Sequence, residues 1–324
     1  MTFRSLTLRN ALALAAVLVA GAAVAQTQIR VDGSSTVFPI TEAVAEEFAK
    51  VRKDVRVTVG ISGTGGGMKR FGAGEIDIVD ASRPIKQKEI DAALAGGVAF
   101  IELPVAYDGL SIVVNPKNDW VDHLTVAELK KIWEPASKVK NWSDVRAGWP
   151  AREIKLYGPG ADSGTFDYFT EAINGKAQAS RSDYQASEDD NTLVMGVAGD
   201  KDALGYFGFA YYEENAERLK LVAVDGGTGP VLPSTESIKT GKYVPLSRPL
   251  FIYVRKSNRP EIKEFVKFYL DNAAELVKEV GYVSLSPELY AAGLSRFTAM
   301  TLGSEYAGEK AKAKLTLEQR YLRK

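Results

Sequence analysis

The chain has 324 residues, with 41 Lys and Arg against 41 Asp and Glu, one histidine and no cysteine. That length accommodates two domains of ordinary size. The balanced charge excludes a concentrated basic face of the kind that binds nucleic-acid phosphates, and the absent cysteines exclude a disulfide framework, a lipid-attachment cysteine and a Cys–zinc cluster.

The chain opens on "MTFRSLTLRN", followed by the apolar run "ALALAAVLVAGAAV" and then Ala23-Val24-Ala25. A positive start, an apolar stretch short for a membrane span and a small-residue cleavage site make residues 1–25 a secretory signal peptide, which places the remainder in a periplasm. This leader carries Arg4 and Arg9 and no acid, so the rest holds 41 − 2 = 39 basic against 41 acidic side chains, a net charge of −2.

In chain order, "QIRVDG" reads as a strand, and Val37, Ile40, Val44, Phe48 and Val51 mark one face of a helix with Pro39 in its first turn. "DVRVTVGI" alternates as a strand into the glycine run "SGTGGGMKRF", whose helix is expected to begin near Met68 and Phe71. "EIDIVDAS" is a short strand followed by a helix near "KQKEIDAALAGG", and "VAFIELPVAYDGLSIVVNP" is a long extended region ending at Pro116. Trp120, Trp133, Trp142 and Trp149 are scattered through the helices and loops that follow. "EIKLYGPG" is a strand meeting "ADSGTFDYF", where Phe166, Phe169 and Ile173 mark a helix face. "RLKLVAVDGG" and "RPLFIYVRKS" are strands, the latter expected to pair with "GLSIVVNP", and "RPEIKEFVKFYLDNAAELVKEV" is the last long helix. The basic "EKAKAKLTLEQRYLRK" reads as a solvated end. Alternating strands and helices without a floppy linker indicate an α/β fold whose domains are joined by strands.

Three stretches share one design, a strand, then Gly with Ser or Thr, then a helix: Gly33-Ser34-Ser35-Thr36, Ser62-Gly63-Thr64-Gly65-Gly66-Gly67 and Asp162-Ser163-Gly164-Thr165. A single hydroxyl at a helix start is usually a cap. Three clusters exceed what capping requires. Helix starts present unpaired N–H groups and partial positive charge, so such clusters form an anion pocket with little formal charge. No G-x-x-x-x-G-K-[ST] occurs, and Met68 breaks G-x-G-x-x-G, so the expected anion is small. G-x-S-x-G is absent, and the single His123, at the approach to a helix, cannot serve both a catalytic triad and a metal site. No metal, nucleotide or organic cofactor is implied.

"VDGSSTVFPITEAVAEEF", "GISGTGGGMKRF", "IDIVDASRPI", "AYDGLSIVVNP", "DSGTFDYF" and "ALGYFGFAYY" resemble, in order and spacing, the periplasmic phosphate-binding proteins of bacterial phosphate ABC importers. The resemblance covers nearly the whole chain after the leader. It implies an α/β, two-domain type II periplasmic binding protein fold with hinge strands and an interdomain ligand cleft. Residues 26–106 and 248–324 would form one domain and 107–247 the other. It implies a monomeric, non-enzymatic carrier that captures inorganic phosphate and delivers it to an inner-membrane ABC permease, with no nucleic-acid partner.

By the same resemblance Ser35, Thr36, Thr64, Gly65, Ser163, Gly164 and Thr165 hold the ligand. Ser82, in Ala81-Ser82-Arg83-Pro84, stands where family members carry an Asp that accepts the phosphate proton, and Pro159-Gly160 stand where they carry an Arg. Arg83 is taken as the replacement guanidinium. The proton acceptor is open among Asp80, Asp108, Asp189 and Asp190, with Asp108 preferred. The rival readings are a carrier of another oxyanion and a periplasmic phosphatase or esterase with Ser163 as nucleophile.

Overall fold

The computed structural model describes residues 26–308 and 315–322; the leader reading therefore lies outside the described residues. The first stretch runs β1 (Thr27–Gly33), α1 (Phe38–Val51), β2 (Val55–Ile61), α2 (Gly63–Gly72), β3 (Ile78–Ala81), α3 (Gln87–Ala95) and β4 (Phe100–Val114). The middle comprises β5 (His123–Thr125), α4 (Val126–Trp133), α5 (Trp142–Val145), β6 (Lys155–Pro159), α6 (Gly164–Asn174), β7 (Gln185–Ser187), α7 (Asp190–Gly199), β8 (Ala203–Gly208), α8 (Phe209–Glu214), β9 (Lys220–Leu221), β10 (Ala223–Asp225), β11 (Pro230–Val231) and α9 (Thr235–Lys239). The chain then returns through β12 (Ser247–Arg255), α10 (Pro260–Glu279), β13 (Val283–Ser284), α11 (Pro287–Thr298) and α12 (Leu317–Tyr321).

The main sheet runs in the order β2-β1-β3-β12-β4-β8-β6-β7. Its backbone is β4, fifteen residues long and buried at every one, as expected of an apolar run covered on both faces. From Phe100 to Gly109 it pairs antiparallel with β12, and from Leu110 to Val114 with β8. One strand thus belongs to two half-sheets and changes partner at Gly109/Leu110. The first half-sheet has β1 parallel to β2 and β3; the second has β6 parallel to β7 and β8.

Helical faces follow the periodicity. On α1, Ile40, Val44 and Phe48 are buried, with the Phe48 and Phe265 rings edge-to-face at 5.3 Å. α10 buries Ile262, Phe265, Val266, Tyr269 and Leu270 along its length, each contributing about 1.5–3 kcal/mol of transfer free energy. Trp133 and Trp142 are fully buried and carry the core of the second half, Trp133 being packed edge-on to Phe169 and Tyr206.

Several expectations change. Val51 is 63% exposed, because it ends α1 where the face turns past the core. The glycine run lies inside α2, not ahead of it: a Cβ on Gly67 would stand 2.7 Å from the Gly33 Cα, so only a bare helix face can seat against β1. β12 pairs with Phe100–Gly109, and the "GLSIVV" part of β4 is taken by β8. "RLKLVAVDGG" is split into β9 and β10. The tail is not wholly solvated: α12 is an ordered helix with Leu317 buried.

Candidate anion-binding site

A cavity of about 460 Å³ opens where the two half-sheets face each other. Its walls are Ser34, Ser35 and Thr36 ahead of α1, Gly63, Thr64 and Gly65 at the start of α2, and Ser82, Arg83, Pro84 and Lys86 after β3. Across from these stand Asp167, Tyr168, Glu171 and Ala177, and Arg248 reaches in from the start of β12.

At α1 and α2 the hydroxyls are not spent on capping. The N-cap of α1 is Val37, which makes no side-chain cap. Instead Ser35 Oγ donates to Asp167 Oδ2 at 3.1 Å and Thr36 Oγ1 to the Gly164 carbonyl at 3.3 Å, both partners lying on α6 in the other half. Ser62 makes no cap for α2; its hydroxyl donates to Asp32 at 2.8 Å. The Thr64 and Ser82 hydroxyls lie 3.1 Å apart, and the Ser82 N–H donates to Thr64 Oγ1 at 3.1 Å. The third cluster does behave as a cap, since Ser163 Oγ accepts from the Thr165 N–H at 3.1 Å. Its role at the site is steric: a Cβ on Gly164 would fall 2.7 Å from both the N and the Cα of Thr36.

Of the ten residues named from the sequence, Ser35, Thr36, Thr64, Gly65, Ser82 and Arg83 line the cavity, whereas Asp108, Ser163, Gly164 and Thr165 stand outside its lining. Arg83 is already engaged. Its two Nη atoms donate to the Glu89 carboxylate at 2.9 and 2.8 Å, which raises the guanidinium pKa further, while Glu89 also closes the first turn of α3. Asp108, expected to face the cleft, is 2% exposed and receives Arg248 Nε at 3.3 Å. Burial pushes its carboxyl up, and the Arg248 charge pulls in the opposite sense.

None of the other proposed proton acceptors lines the cavity either. Asp80 is fully buried behind the first loop, with Oδ1 accepting from Thr41 at 2.9 Å and Oδ2 without a protein partner; burial pushes it up to about 8. Asp189 caps α7 through the Asn191 N–H at 2.9 Å, and burial pushes Asp190 up to about 7.

Sequence reasoning missed Arg248, Asp167 and Tyr168. Arg248 Nη2 donates to Thr36 Oγ1 at 2.9 Å, and its guanidinium lies 3.5 Å from the Tyr168 ring centroid, within stacking distance. The Tyr168 hydroxyl donates to the Pro245 carbonyl at 2.7 Å, which fixes that ring. One side chain thereby touches both halves and the strand joining them. The available signals were an arginine at the start of the returning strand and an aspartate one helical turn after Ser163. The lining carries Arg83, Lys86 and Arg248 against Asp167 and Glu171, but Arg83 is paired with Glu89 and Arg248 with Asp108, so little positive charge is free and hydroxyl and N–H dipoles are left to hold an anion.

A model of the PBP superfamily domain matches residues 19–273. Protein SphX of Synechocystis sp. is 51% identical over 286 residues, spanning 87% of this chain and 85% of that protein. The phosphate-binding protein PstS of Staphylococcus saprophyticus is 40% identical over 267 residues, spanning 81% and 82%. A crystal structure from Planctomyces limnophilus, described as a possible phosphate binding protein, superposes with a TM-score of 0.83 at 51% identity, over 85% of this chain and 99% of that one. By sequence and by its two-part α/β architecture alike, the chain belongs to the PBP superfamily, among the PstS-like proteins.

Proposed function

We propose that the protein is a carrier that captures inorganic phosphate in the cleft between two lobes, residues 26–106 with 248–324 and residues 107–247, and hands it unchanged to an inner-membrane ABC permease. One observation carries the reading: the hydroxyls of Ser35, Thr36, Thr64 and Ser82, the start of α2 and the Arg248 guanidinium converge on a single small cavity bounded by both halves of the molecule. The phosphate-binding names of its relatives support it, and the leader read from residues 1–25 supports a periplasmic site of action. Closure about β4 and β12 is a population shift favoured by contacts that the anion makes to both lobes at once.

Selectivity for phosphate falls to Asp167. Its Oδ2 accepts the Ser35 hydroxyl, and its Oδ1 is buried without a protein partner. A protonated oxyanion brought against α6 as the lobes adjust around it can donate to this carboxylate. Sulfate has no proton there and brings its charge against an unpaired carboxylate, a mismatch worth about 10³-fold in affinity. Titration calorimetry on residues 26–324 is the test: phosphate is expected to bind far more tightly than sulfate, and Asp167→Asn to narrow the gap. Equal affinities of the unmodified chain for the two anions refute the reading.

A further inference from the structure

Glu102 lies on β4 and is fully buried, and four donors converge on its carboxylate. Tyr253 of β12 donates to Oε2 at 2.9 Å. The remaining three come from the end of the chain: the Ser304 hydroxyl to Oε2, the Glu305 N–H to Oε1 at 2.8 Å and the Tyr321 hydroxyl to Oε1 at 2.6 Å. Five residues further along the same strand, the buried Tyr107 donates its hydroxyl to Glu318 of α12 at 3.2 Å. The segment also packs on β12, where the Tyr306 ring meets Phe251 edge-on at 5.5 Å. These contacts grip both strands that join the halves. They end one residue before Asp108, which holds Arg248, and two residues before the Gly109/Leu110 partner change. The superfamily match covers residues 19–273, and the segment supplying these contacts follows it in the chain.

We propose that residues 304–306 and α12 form a brace on the joining strands, with Tyr107 and Glu318 as positioning residues that slow anion release by restraining β4 beside the Asp108–Arg248 pair. The proposal rests on the phosphate-carrier reading. Physically, a strand that must twist for the cleft to open carries extra hydrogen bonds that opening has to distort. Such restraint acts on the release rate more than on encounter, and it lowers local opening of the strand itself.

The test compares residues 26–324 with the Tyr107→Phe, Glu318→Ala and Glu318→Gln variants. Stopped-flow release of phosphate, hydrogen exchange over residues 103–112 and the melting temperature are measured for each. Tyr107→Phe and Glu318→Ala are expected to release phosphate about three- to tenfold faster, the span of one hydrogen bond's net worth, and to lose protection over 103–112. Glu318→Gln keeps an acceptor oxygen and is expected to behave like the unmodified protein. Unchanged release and protection in Tyr107→Phe and Glu318→Ala overturn the brace, as does a lower melting temperature with neither of them altered. If the unmodified chain binds no phosphate, the carrier reading has failed by itself, and the exchange measurement still decides whether α12 restrains β4.

Discussion

Removing the Arg248 side chain does two things at once, because that guanidinium pairs with the buried Asp108 and donates to Thr36. Arg248→Ala is expected to cost about 2–4 kcal/mol of phosphate binding. It also destabilises the fold by leaving Asp108 buried and uncompensated. The double variant Arg248→Ala with Asp108→Asn separates these effects: calorimetry is expected to show binding still lost, and thermal melting to show stability largely regained. Arg83→Ala is expected to cost under about 1 kcal/mol of binding, since its partner is Glu89 on its own lobe and the pair is partly exposed. The opposite ranking of the two arginines would return the guanidinium role to Arg83. Of the cavity-lining hydroxyls, the sequence offered Ser35, Thr36 and Thr64 through local glycine–hydroxyl motifs and Ser82 through the family resemblance alone. It named Arg83 for the guanidinium and missed Arg248, because whether Arg83 is free depends on where Glu89 lands at the first turn of α3.

At the scale of elements, the site is a meeting of helix starts. The turn before α1 and the first residue of α6 approach so closely that Gly164 has backbone where a side chain would begin. Gly164→Ala is expected to weaken phosphate binding about 10- to 100-fold, the usual range for forcing a methyl group into packed structure. The ligand-free melting temperature is expected to stay near that of the unmodified protein, because the obstruction lies between lobes and not within one. Normal affinity in that variant would mean that the halves need not approach this closely to hold the ligand. The faces of α1 and α10 were legible from 3.6-residue periodicity alone. The start of α2 was not: glycine's low helix propensity argues against a helix through Gly63–Gly67, and the Gly67–Gly33 approach that favours one is tertiary.

For the whole molecule, several acids carry raised pKa values because burial disfavours their charge: Asp80 to about 8, Asp190 to about 7, and Glu102 and Asp108 upward. A raised native pKa means that the folded state binds the proton more tightly than the unfolded chain does. The stability so contributed is complete below about pH 4, the unfolded value, and is lost as pH rises through the native one. Melting temperature is therefore expected to fall between pH 5 and pH 9. Asp80→Asn is expected to remove a part of that slope on the order of 2–5 kcal/mol. A calorimetric profile as steep in Asp80→Asn as in the unmodified protein would show that Asp80 ionises freely when folded.

The sequence by itself determined the alternating α/β order, the long apolar strand at the centre and the three glycine–hydroxyl stretches, because strand alternation, helical periodicity and turn chemistry are properties of neighbouring residues. Only the tertiary structure decided that Arg248, Asp167 and Tyr168 complete the cavity, and that the tail closes over Glu102. Those groups lie up to about two hundred positions apart along the chain, as the Thr36–Arg248 and Glu102–Ser304 pairs do. Which of them touch is fixed by how β4 passes from one half-sheet to the other, a relation that no local pattern records.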